Sequence, residues 1–230
     1  MILNMKRVSG LILFVMCSVV AHGQDRPVQP DLPGDISIDV GWTMLSNNPD
    51  FFETKVFSSR TLGLHYMYPI KMTDRFIFNP AIGIGMDRLG MQDNVNFTQD
   101  DQYNYNLDTI QGLGLRKNLL MFTYVELPVE IRYYPFKTVE GEGFFVSAGA
   151  FIGARIGSQT KVKYDFLEET RTTRDKADYG LSDIRYGFQA RLGWKPISIF
   201  YKHYLNDLFQ IEPFGADPQQ FTFGLNFTGF

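Results

Sequence analysis

Charged or strongly polar side chains recur at alternate positions of otherwise apolar or small-residue stretches: Asp39, His65, Asp87, Glu126, Glu130, Arg132, Arg155, Arg185, Gln189 and Arg191, with Lys202 in a weaker stretch. Two kinds of chemistry suit such a set. Lined along one open surface, these groups would form a polar path for ions. Crowded into a narrow space, they would pair carboxylate with cation, because an unpaired buried charge is costly. Pairing is the expected arrangement, with Glu126 and Glu130 set against Arg132 and Arg155. Catalysis has less to work with, since a hydrolytic centre needs a base such as His beside a nucleophile and an acid. Ser198 and His203 lie five residues apart, on opposite faces of one strand at period two, and His65 has no Ser beside it in sequence. No catalytic residue is expected. Cys17 is the single cysteine, so neither an intrachain disulfide nor a cysteine-based metal site can form. Asp93, Asp100, Asp101 and Asp108 lack the regular spacing of a calcium loop. Neither a metal nor a cofactor is expected. Tyr103 and Tyr105, beside Asn104 and Asn106, are candidate external contacts, as Tyr and Asn suit binding surfaces.

The elements that must position these residues have a period of two. Ile36, Ile38, Val40, Trp42 and Met44 alternate with Ser37, Asp39, Gly41 and Thr43, the mark of a strand with two unlike faces. The same pattern recurs over residues 62–68, 76–87, 121–133, 144–157, 184–194 and 221–227. Residues 197–205 form an eighth segment whose facing the alternation leaves open, because Phe200 and Tyr204 share a face with Lys202. Connections near residues 70–75, 135–143 and 195–196 are short. Those near 45–59, 88–118, 158–181 and 206–219 are longer and polar.

Upstream, Lys6 and Arg7 precede the apolar run 11–21, which ends at Ala21-His22-Gly23. A charged start, an apolar stretch and small residues at a cleavage site make residues 1–23 a predicted signal peptide. Residues 24–34, with three prolines, read as an extended leader, and residues 35–230 as one domain. The apolar run is too short to span a bilayer as a helix. Net charge is −3, with no block of Lys or Arg outside the N-terminal pair, so nucleic acid is not an expected partner.

Which face is polar decides between a barrel in water and one in lipid. One face of these strands is continuously apolar, whereas the other alternates Gly, Ser and Ala with Arg, Glu and Asp and is poor in Lys. A narrow lumen suits that second face, since small residues make room for long ones and charges pair. Tyr66, Tyr68, Phe76, Phe78, Tyr133, Tyr134, Phe136, Phe144 and Trp194 cluster near the short turns, where a ring of aromatics at headgroup level is expected. The expected fold is therefore an all-β, eight-stranded antiparallel transmembrane β-barrel. It would have short periplasmic turns, longer extracellular loops and both termini in the periplasm. Outer-membrane lipids and an envelope protein complex are the candidate partners.

The stretch Tyr124-Val125-Glu126-Leu127-Pro128, the Gly-rich strand over residues 145–157 and the aromatic final strand ending near Phe230 carry a resemblance. They resemble the PorT-like outer-membrane barrels of Bacteroidota, over residues 36–230. The resemblance implies an eight-stranded barrel and no single activity. A role in the type IX secretion pathway is the candidate it supplies, with a small pore or a lipid-modifying enzyme as alternatives.

Overall fold

The computed structural model describes residues 33–47, 53–91, 95–99, 105–109, 114–136, 143–166, 169–210 and 218–229. The predicted signal peptide over residues 1–23, most of the expected leader over 24–34, Tyr103 and Phe230 lie outside the described residues. Twelve strands follow in chain order: β1 (Asp35–Ser46), β2 (Arg60–Met67), β3 (Ile70–Lys71), β4 (Phe76–Gly90), β5 (Val95–Gln99), β6 (Tyr105–Thr109), β7 (Gly114–Tyr133), β8 (Phe144–Phe166), β9 (Glu169–Asp175), β10 (Ile184–Trp194), β11 (Ile197–Asp207) and β12 (Gln219–Thr228). Eight of them, β1, β2, β4, β7, β8, β10, β11 and β12, pair in that order, and β12 returns to β1 to close the ring. All pairings are antiparallel, so hairpin connections suffice and no ladder edge of the ring is left open.

The ring is inside out. Leu64, Ile82, Ile184 and Ile199 are 50–56% exposed, whereas Glu126 is 0%, Asp39 1% and Arg185 3% exposed. An outer face of large apolar side chains over an inner face of charges fits lipid outside and not water. Closure leaves no wall strand with an unpaired edge, which lipid requires. The facing of β11 is now defined: Ser198, Phe200, Lys202 and Tyr204 point inward and are buried, while Ile199, Tyr201 and Leu205 point out.

Short connections and the first and last residues of the wall share one end of the ring. Lys195 and Pro196 alone join β10 to β11, and Ser37 pairs with Thr228 near the first and last residues of the wall. Cross-strand aromatic pairs mark this end, with ring centres 4.9 Å apart for Phe76 and Tyr133 and 5.3 Å for Phe144 and Trp194. Tyr134 departs from the expected outer ring of aromatics: it is buried and packs inside against Phe145 at 5.9 Å. The residue count from Tyr133 places it inward, and Phe145 on the next strand receives it.

The other end differs from the expected polar loops. Residues 158–181 are largely strand, because β8 runs on to Phe166 and β9 folds back on it from Thr160↔Asp175 to Phe166↔Glu169. With β7, these form a three-stranded sheet beyond the ring. Thr, Val and Tyr favour strands, yet β9 is exposed at every position, so no apolar alternation announces it. Within residues 88–118, β5 and β6 pair as a hairpin. A bulge at Ile156, between the pairs Tyr124↔Arg155 and Thr123↔Gly157, switches the inward parity of β8 from odd to even, so Thr160 and Val162 are buried above it.

Gly41 and Gly224 stand opposite each other on the closing seam, and a Cβ on Gly224 would strike the backbone of Val40 and Gly41. A side chain there must push the two strands apart. Gly224→Leu is therefore expected to lower unfolding stability by about 1–3 kcal/mol, read from urea unfolding of the barrel in detergent. Gly157→Ala, whose Cβ meets nothing within 4 Å, is expected to leave the midpoint unchanged.

Candidate functional site

Each wall strand sends alternate side chains inward, and six strands deliver charge to one layer. β1 supplies Asp39, β2 His65, β4 Asp87, β7 Glu126, Glu130 and Arg132, β10 Arg185 and Arg191, and β11 Lys202; each is 4% exposed or less. Glu126 is the hub. Its Oε2 lies 2.8 Å from His65 Nε2 and 3.0 Å from Lys202 Nζ, and its Oε1 lies 2.8 Å from Arg185 Nη2. Arg185 Nη1 donates to Asp87 Oδ2 at 2.6 Å. Asp39 takes Arg191 Nη2 at 3.1 Å and Lys202 Nζ at 3.5 Å, and it accepts from Asn226 Nδ2 at 2.7 Å. Glu130 accepts from Arg132 Nη2 at 2.8 Å and Arg191 Nη1 at 3.0 Å.

Four carboxylates thus face four cations, and the layer balances when His65 is neutral. Neutral pairing is what makes so much buried charge tolerable. Aromatic faces add to it: the guanidinium of Arg185 lies 4.0 Å from the ring centre of Tyr124, and that of Arg132 4.1 Å from Phe145. Space comes from small residues. A Cβ on Gly85 would overlap the Arg185 guanidinium and come 3.0 Å from Glu126 Cδ.

Above this layer, toward the long connections, the lumen becomes apolar. Leu89, Met91, Leu120, Phe122 and Tyr124 project from the wall and meet Tyr179, Leu181, Leu208 and Phe209 in one buried cluster. Residues 176–183 form a strap that dips into the mouth. Its turn has left-handed backbone at both Tyr179 (φ 55°) and Gly180 (φ 63°), which aims Tyr179 and Leu181 down into the cluster. A bulky residue at positive φ is strained. Tyr179 is held there by burial and by its hydroxyl, which donates to Asp175 O at 2.9 Å and lies 3.1 Å from Thr160 Oγ1. Tyr124 donates its hydroxyl to Ser182 O, and Ser182 Oγ donates to Asp207 O at 2.7 Å, so the strap is tied to the wall and to the β11 end. Between the layers lies a cavity of about 10 Å³ bounded by Tyr124, Ser182, Arg185 and Tyr204. That is the size of a single water at most.

Of the residues singled out from sequence, Asp39, His65, Glu126, Glu130, Arg132, Arg185 and Arg191 meet in the charged layer. Arg155 does not. The expected pairing of Arg155 with Glu126 or Glu130 is corrected: its Nη2 binds the carboxylates of Asp183, at 2.5 Å, and Asp178 on the strap. It points inward by alternation, but it sits beside the Ile156 bulge at the mouth, where the strap and not the lumen supplies the acid. Tyr105 opens β6, opposite Gln99. Ser198 is buried, while His203 stacks outside on Phe188 at 5.0 Å. Among the described residues, no group of three His, Cys, Asp or Glu side chains could hold a metal ion. Sequence reasoning missed the strap; its available signal was the turn pair Tyr179-Gly180 followed by Leu181 in an otherwise polar stretch.

Truncating one member of the layer strands its partners. Arg185→Leu leaves Asp87 and Glu126 short of a cation and is expected to cost about 3–5 kcal/mol in urea unfolding, with Arg185→Lys recovering part of the loss. At the mouth, the hydrogen bond from Arg155 holds the Asp183 carboxyl below the usual aspartate value. The sign follows: a lowered value stabilises above the unfolded pKa of about 3.9 and the benefit fades as pH falls through the folded value. Amide protection factors over residues 176–183, corrected for the intrinsic pH dependence of exchange, are expected to be flat down to about pH 4 and to fall below it.

A family model described as an outer membrane protein beta-barrel domain matches residues 35–216. No curated protein matches the sequence. Among solved structures, the chain is similar to Ail, the attachment invasion locus protein of Yersinia pestis, at 10% identity and a TM-score of 0.37, over 86% of this chain and 99% of that one. It is also similar to LpxR from Salmonella typhimurium, at 8% identity and a TM-score of 0.27, over 85% and 99% of the two chains. A Rhodopseudomonas blastica porin triple mutant is similar at 11% identity and a TM-score of 0.21, over 85% and 98%. These distant likenesses carry no argument about role. The family model spans most of the wall described above, and the chain belongs to the outer membrane protein beta-barrel domain family.

Proposed function

We propose that this outer-membrane barrel is a closed, non-enzymatic anchor that presents its long-connection end to other molecules. The observation that carries this reading is the double closure of the lumen, a balanced ion-pair layer beneath an apolar cap. An ion entering such a lumen would have to displace the strap and break paired charges. A lipid-modifying role would need a base beside a nucleophile at the rim. His65 is instead held at 2.8 Å by Glu126, and Ser198 and His203 occupy opposite faces of β11. The presented surface is the β7–β8–β9 sheet, whose outermost strand is exposed throughout.

The start of β1 and the end of β12 lie with the short turns, which supports termini in the periplasm and the sheet outside the cell. The PorT-like resemblance supports a place as an accessory of an envelope assembly, with the type IX secretion pathway as the specific candidate.

In planar bilayers the purified chain is expected to give no steady openings, and steady nanosiemens-scale conductance would overturn the closed-anchor reading. Gentle extraction from native outer membrane, followed by mass spectrometry, is expected to recover a stoichiometric protein partner. That partner should be lost when residues 161–174 are replaced by a tight turn. Recovery of a bare monomer from both chains would remove the assembly role.

A further inference from the structure

The outer face of the wall is electrically one-sided at the long-connection end. No Lys or Arg of β1, β10, β11 or β12 points outward; Arg185, Arg191 and Lys202 all face the lumen. On the opposite side, Arg60 on β2 pairs directly with Arg88 on β4, both pointing outward just above Leu62 and Met86 of the apolar belt. Farther from the belt, Lys117 on β7 stands directly opposite Lys163 on β8. Like charges directly across a ladder repel and destabilise a sheet. Here two such pairs occupy one surface.

Between them is a cleft. The 3-10 turn at residues Val56–Ser58 packs over the outer face of β4, with Lys55 N donating to Gly90 O at 2.7 Å. A space of about 280 Å³ is left between this turn and the β7–β8 wall, with Leu119 in its lining and Lys55, Lys117 and Lys163 around it. Arg88 Nε donates to Ser58 O at 3.1 Å and Arg60 Nε to Phe57 O at 3.3 Å, so the turn that borders the cleft through Ser58 also ties down both guanidinium groups, which stand beside the cleft and outside its lining. One acid stands near: Asp165 accepts from Arg116, which also lines the cleft, at 2.7 Å and from Thr170 at 2.9 Å, and its charge partly offsets that of Lys163. Among the described residues, Lys55, Arg60, Arg88, Lys117 and Lys163 make no ion pair with a carboxylate.

We infer that this cleft binds the phosphate groups of a membrane lipid in the leaflet at the long-connection end. A phosphate oxyanion accepts from several cationic donors at once and turns their mutual repulsion into attraction. A lipid is the source because the cations begin where the apolar belt ends, the depth at which headgroup phosphates lie. The inference rests on the barrel being embedded in a bilayer, and it is independent of whether the lumen conducts.

The test uses the full chain in nanodiscs of phosphatidylcholine doped with bisphosphorylated lipid A, and the readout is phosphorylated lipid retained per barrel by native mass spectrometry. A Lys or Arg beside an anionic lipid surface contributes about fivefold in affinity. The triple variant K55Q/K117Q/K163Q is therefore expected to lose retention roughly a hundredfold, while K55R/K117R/K163R retains wild-type levels. Dephosphorylated lipid A is expected to wash off the wild type. If the triple variant fails to fold, R60Q/R88Q supplies the same reading, with an expected loss of roughly twenty-fivefold. Equal retention by the glutamine and wild-type chains would overturn the inference. So would competition by free inorganic phosphate at matched phosphate concentration, which would make this a soluble-anion site. Steady conductance with lipid retention intact would overturn the closed-anchor reading alone.

Discussion

The pairing of buried charges in a narrow lumen is the constraint on which the rest of the molecule depends. Glu126 reaches His65, Arg185 and Lys202 from three other strands, and Asp39 and Glu130 share Arg191 across the lumen. These contacts cross the ring where backbone hydrogen bonds cannot, since ladder bonds join only neighbouring strands. An eight-stranded ring is just wide enough for side chains to fill. Each charge is therefore forced within reach of its opposite, and each long side chain needs a small one beside it, as Gly85 serves Arg185.

The two ends of the lumen resolve their remaining space differently. Toward the short turns, aromatic rings from the wall finish the filling, with Tyr134 and Phe145 beneath Arg132. Toward the long connections the wall alone is insufficient, because the ring opens there and the inward residues turn apolar. The strap supplies the missing groups. Its left-handed turn drives Tyr179 and Leu181 into the mouth, and Arg155 ties its acidic ends to the wall. Burial of the cluster offsets the backbone strain at Tyr179, so cap and strap depend on each other.

Outside, the apolar belt and the charges above it obey the same electrostatics with the solvent changed. Within the belt no outward cation occurs among the described residues of β1, β10, β11 and β12, and His203 survives there stacked between Phe188 and Tyr201. At the edge of the belt, cations accumulate on one side only. A wall that is neutral inside and one-sided outside has a preferred face toward charged neighbours, whereas its lumen has none.

The eight wall strands, most of the inward set and the outer-membrane setting were legible in the sequence, because lipid on one face and a filled lumen on the other impose a strict period of two. Asp39, His65, Glu126 and Arg191 could be placed in one interior by counting alone. Which of them touch could not, since partners across a ring depend on register and strand tilt, and a shift of pairing changes neighbours without changing the pattern. Three departures have specific causes. The aromatics Phe200 and Tyr204 face inward on β11, where Phe151 meets Tyr204 at 5.0 Å and Arg185 lies 5.2 Å from its ring, so apolar character misreports facing there. The bulge at Ile156 puts Arg155 at the mouth, where the strap's acids meet it. β9 has water on both sides and so leaves no periodic trace. By itself, then, the sequence determined a closed, inside-out barrel with a charged interior. Tertiary structure alone decided the pairs, the cap and the basic cleft, because each joins residues that are distant along the chain and adjacent only once the ring has closed.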